Sequence, residues 1–175
     1  MIPCTDFIPA YSELFKALDR LGGRKAVEDF WTHLSKGFLE NLRDLVTRHG
    51  IRGCWQYWSR TLNEEAADFT MELDEEAGEF KILMHHCPSK GLLMKTPHIT
   101  PYPDYCRHCV FLYPPLLRKL GYETVTDLSR CDEAMCSFVV SGPAKPAAGK
   151  PAPKGGAKRQ AKPPASARKK APRAG

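Results

Sequence analysis

Near residue 69 the apolar residues of this chain change their repeat, and that change dictates the class of fold. Before it they recur at the spacing of a helix, about 3.6 residues; after it they alternate with polar residues. On the helical side, Tyr11, Leu14, Phe15, Leu18 and Leu21 form one stripe that Gly22-Gly23 is expected to end. Ala26, Val27, Phe30, Trp31 and Leu34 form a second. Phe38, Leu42, Leu45 and Val46 form a third, with Gly50 as its stop, and Trp55, Trp58 and Leu62 mark a fourth. Such stripes are the faces that helices bury, and Trp55 and Trp58 also suit the wall of a ligand pocket.

On the alternating side, Phe69, Met71 and Leu73 predict a strand, Glu75 to Gly78 a turn, and a second strand begins near Glu79. Phe80, Ile82, Met84 and His86 share one face of that strand; Lys81, Leu83, His85 and Cys87 share the other. Pro88 is expected to terminate it, and Ser89 to Pro103, with its three prolines, to form a loop. Asp104 to Leu112 reads as a helix broken by Pro114-Pro115, Leu116 to Leu120 as one more turn, and Met135 to Val140 as a closing strand. The class is α+β: about four N-terminal helices packed with a small, mainly antiparallel sheet.

Residues 143–175 cannot join that core. They carry ten Lys/Arg, no Asp or Glu, seven Pro and ten Ala, and no aromatic or large aliphatic side chain. A segment that buries so little cannot offset its ordering entropy, so a disordered basic tail follows a domain over 1–142. Removing the tail's ten positives from the chain's 26 leaves 16 against 20 acidic residues, a net of −4 for the domain. The basic character therefore belongs to the tail, which suits non-specific, salt-dependent binding of nucleic acid. Met1 to Leu14 carries no basic leader before an apolar run, and no stretch reaches the length of a membrane span. With seven cysteines, an odd count, the expectation is reduced thiols in a cytoplasm.

Five of those cysteines and four of the six histidines fall between His85 and Cys136. Thiolate and imidazole are the donors that zinc prefers, and Cys106, Cys109, Cys131 and Cys136 make a C-x2-C-x21-C-x4-C pattern close to zinc-ribbon spacing. A zinc site would draw on Cys87, Cys106 and Cys109 with His85 or Cys131. Free cysteine also packs as a small apolar group, the reading that suits Cys4, Cys54 and Cys136. A redox role for Cys106/Cys109 wants a βαβ context that is missing. A catalytic cysteine such as Cys109 needs a base, with His85, His98 and His108 as candidates and Asp104 or Asp132 to orient one. Helix neighbours at i and i+1 point apart, which favours His85 or His98 over His108 as the partner of Cys109.

The block Tyr105-Cys-Arg-His-Cys109, the later Arg130-Cys-Asp-Glu-Ala-Met-Cys-Ser-Phe138 and the upstream Gly22-Gly-Arg-Lys-Ala-Val-Glu-Asp-Phe-Trp31 resemble small Cys-containing bacterial proteins, the L-2-amino-thiazoline-4-carboxylic acid hydrolase-like family. The resemblance spans about residues 10–140. It implies hydrolytic opening of a small cyclic C–N substrate of the aminothiazoline carboxylate type, by water activated on a metal or by thiolate attack. It transfers no catalytic residue. The competing expectation is a non-enzymatic sensor or accessory domain that binds a metal or small ligand.

Overall fold

The computed structural model describes residues 6–142, so Cys4 and the expected tail lie outside the described residues. The order of elements is α1 (Phe7–Gly37), α2 (Glu40–His49), α3 (Ile51–Glu64), β1 (Asp68–Asp74), β2 (Glu79–His86), α4 (Pro88–Lys95), α5 (His108–Lys119), β3 (Glu123–Asp127) and β4 (Cys136–Ser141). Short 3-10 turns at Tyr105–Arg107 and Cys131–Glu133 precede α5 and β4. The fold is α+β, as the change of repeat predicts. No helix among the described residues is long and apolar enough to cross a membrane.

The first two apolar stripes are the two arms of α1. Gly22 and Gly23 leave helical geometry, and Gly23 adopts a φ of 67°, a conformation that costs glycine little. The glycines thus bend the rod instead of ending it, and both arms face one cluster of Phe15, Val27, Trp31, Leu93, Tyr102 and Tyr105. Two buried serines anchor α1 from within. Ser12 Oγ accepts from the Tyr102 amide at 2.8 Å, and Ser35 Oγ donates to the Leu112 carbonyl at 2.7 Å. Helices α2 and α3 pack so closely that a methyl group on Gly53 would stand 2.3 Å from the Leu45 carbonyl oxygen.

All sheet pairings are antiparallel, in the order β1-β2-β4-β3. Phe80, Ile82, Met84 and Val140 bury their side chains against Trp58, Leu62 and Cys54 of α3 and against Leu112, Leu116 and Leu117 of α5. Trp58 stacks on Phe80 with ring centroids 5.6 Å apart. The opposite sheet face carries exposed Thr70, Glu72, His85 and Val125.

Two local expectations are overturned, and one strand is added. Pro88 ends β2 but opens α4: it occupies the first turn, where its missing N–H costs nothing. Pro114 and Pro115 do not break α5, which runs through both. Pro114 is fully buried, and the packing of α5 on the sheet outweighs the lost helical bonds. Thr124-Val125-Thr126, unassigned from sequence, forms the edge strand β3, which gains its partners only when β4 inserts between it and β2.

Candidate functional site

Antiparallel pairing brings the end of β2 beside the start of β4, with Met84 opposite Cys136. The Cys87 amide donates to the Ala134 carbonyl at 2.7 Å and clamps the start of α4 to the turn before β4. The start of α5 lies at the same end of the molecule. Between them opens a cavity of about 360 Å³ lined by Cys87, Cys106, Cys109, Cys131 and Cys136. Five thiols scattered over 50 positions of sequence therefore share one chamber. Its walls are apolar: Tyr57, Trp58 and Leu62 from α3, Tyr105 and Tyr113 from the α5 segment, and Ile82, Met84 and Phe138 from the sheet. Trp55, the other pocket candidate, is exposed and does not line it.

Burial governs the thiols. It pushes Cys109 and Cys136 up to about 12 and raises Cys87 and Cys106 as well, because a thiolate loses its hydration there. The neighbouring sulfurs reinforce the rise: Cys131 and Cys109 act on Cys106, and Cys109 and Cys87 act on Cys136. The described cysteines are free thiols. At neutral pH the buried ones are held protonated.

Cys109 has a partner that helical spacing argues against. Its Sγ lies 3.4 Å from Nε2 of His108, the residue directly before it. The expectation that neighbours point apart fails because the pair stands at the first turn of α5 and the imidazole is turned over that turn. His108 Nδ1 is 2.5 Å from the Tyr105 carbonyl oxygen. A carbonyl can only accept, so Nδ1 carries the proton and Nε2 presents its lone pair to the Cys109 thiol. Desolvation lowers the pKa of His108, against the opposing pull of the Tyr105 carbonyl and the charge of Glu65. The resting pair is therefore a thiol donating toward a neutral imidazole.

Glu65 caps α3 at the rim of the cavity. The residue is exposed, yet desolvation of its carboxyl raises its pKa, with the His108 charge opposing. Lys90 enters the wall from α4, its side chain 11% exposed. No periodicity singles out Glu65, Lys90 or the tautomer of His108, since each depends on contacts made across the fold.

The other expected site residues are placed elsewhere. His85 projects from the exposed face of β2, where its Nε2 lies 2.7 Å from Thr70 Oγ1, and it does not reach the cavity. The alternation of the strand sends His85 away from the face that carries Met84, so it cannot serve Cys109. Asp104 pairs with Arg24 of α1 at 2.8 Å, outside the cavity lining, and so does not orient a base. His98 also stands apart from the lining, and Asp132, 96% exposed, meets Lys90 at 3.6 Å. Cys54 is fully buried in the core, as expected of a packing cysteine.

The donor chemistry of Cys87, Cys106, Cys109 and Cys131 suits zinc, but no three His, Cys, Asp or Glu side chains among the described residues are arranged to hold a metal ion. Comparison of the chain with family models, with curated proteins and with solved structures finds no match.

Proposed function

We propose that the protein is a thiol-dependent hydrolase of a small cyclic C–N compound of the aminothiazoline carboxylate type, with Cys109 as nucleophile and His108 as base. The observation that carries this reading is the tautomer imposed on His108. A base must offer a lone pair within reach of the proton it takes, and Nε2 does so at 3.4 Å from the sulfur. The cavity is of a size to enclose a small ring between aromatic walls.

In this reading the Cys109 proton passes to His108 Nε2 as the sulfur bonds the amidine carbon of the ring. Collapse of the adduct breaks the ring bond, and the imidazolium returns the proton to the departing nitrogen or sulfur. Water then replaces the Cys109 sulfur at that carbon and the thiol leaves protonated, so the net change is addition of one water. Glu65, whose charge favours protonated His108, supports the imidazolium formed on the way.

The test is turnover of 2-aminothiazoline-4-carboxylate by the full chain, followed through consumption of the ring compound. Cys109→Ala and His108→Gln are each expected to lower kcat by about 100-fold or more, the usual weight of a nucleophile or base. Unchanged turnover in Cys109→Ala would refute the assignment. One observation favours a second reading, a ligand-binding domain without chemistry: burial holds the resting thiols protonated. Binding of the compound with no turnover by the native chain would select it.

A further inference from the structure

Among the residues that line the cavity, Glu65 and Lys90 are the two that carry a full charge, and the charges are opposite. They come from different elements, α3 and α4, and are not ion-paired with each other. Glu65, at the end of α3, acts on His108, Cys109, Cys87, Tyr57 and Tyr113. Lys90, on α4, acts on Cys106, whose strongest sulfur neighbour is Cys131. Neither charge is well neutralised by the protein. The only ion pair of Lys90 among the described residues is Asp132, whose side chain is almost wholly in water, and a carboxylate so well hydrated at 3.6 Å offsets little of the Lys90 charge. No Lys or Arg is ion-paired with Glu65 among the described residues.

We propose that Glu65 and Lys90 select the ligand of this cavity, which is a small planar ring compound bearing a cationic group at one end and a carboxylate at the other. Closing an apolar cavity over an unpaired charge is costly. A ligand with both charges meets both side chains, whereas one with a single charge strips water from the second side chain and gives it no partner. Charge-assisted hydrogen bonds to a carboxylate and to an ammonium then fix which way round the ring lies. The proposal deepens the hydrolase reading by naming what orients its substrate, but it is stated for binding and needs no reaction.

The experiment is calorimetric titration of the full chain with three matched compounds that cannot be hydrolysed: 4-(aminomethyl)benzoate, benzylamine and 4-methylbenzoate. The doubly charged compound is expected to bind about tenfold or more tightly than either of the others, the scale of one charge-assisted hydrogen bond. Lys90→Gln should erase its advantage over benzylamine, and Glu65→Gln its advantage over 4-methylbenzoate. Lys90→Arg, which keeps the charge, should preserve the order and guards against a folding defect in the glutamine variant. Equal affinity for the three compounds, binding by none, or an advantage that survives both glutamine substitutions would overturn the proposal. Charge preference without turnover removes the hydrolase reading alone, and turnover without charge preference removes this one alone.

Discussion

Cys54 allows burial of a thiol to be measured as a stability that depends on pH. It is fully buried between α3 and the sheet, and desolvation pushes its pKa from an ordinary value of 9.0 up to about 12. Replacing it with alanine removes a buried sulfur and at neutral pH should cost about 1 kcal/mol, the worth of one methylene-sized group. Above pH 9.0 the native chain begins to lose this advantage. The unfolded chain releases the Cys54 proton while the folded chain retains it up to about 12, so the folded state loses about 1.4 kcal/mol for each pH unit in that window. The sign is that of a raised pKa: the contribution is complete below the unfolded value and is lost as pH rises. By about pH 11 the native chain has lost about 3 kcal/mol that Cys54→Ala does not lose. The two stability curves should therefore cross near pH 10, the variant being the weaker protein below and the stronger above. Urea denaturation of both proteins from neutral pH to about 11 measures the difference, in which the titrating groups that do not act on Cys54 cancel, Tyr122 being the neighbour that does. Parallel curves would refute the idea that burial holds this thiol protonated, and with it the same reasoning for Cys109 and Cys136.

The proposed chemistry needs neutral His108, and desolvation lowers that residue's pKa. The acid limb of kcat/KM should therefore fall below the ordinary histidine value, with a plateau that continues past the ordinary thiol value because Cys109 titrates only near 12. An alkaline inflection near 9 would count against it. Gly53→Ala should destabilise the chain by about 3 kcal/mol or more, since the new methyl meets the rigid Leu45 carbonyl at 2.3 Å and backbone must move. An unchanged melting temperature would show that α2 and α3 are not held at that distance.

What could be read from the sequence was whatever neighbours along the chain decide. The change of repeat near Phe69 separated the helices from the sheet, and the alternation of Phe80, Ile82 and Met84 identified the buried face of β2, because side-chain direction follows backbone period. The clustering of cysteines and histidines after His85 marked the region of the cavity. The partners within that region were not legible there. His85 has the chemistry of a base but lies on the outer face of the sheet, and His108 becomes the candidate only because a carbonyl one turn back holds its ring over Cys109. Glu65 and Lys90 acquire meaning only where α3 and α4 meet one chamber. Pro114, a helix breaker by local rules, is tolerated because the core it fills outweighs the bonds it removes. Local periodicity is set by a few residues of chain, whereas the convergence of five thiols depends on β4 inserting between β2 and β3, an event of long-range packing.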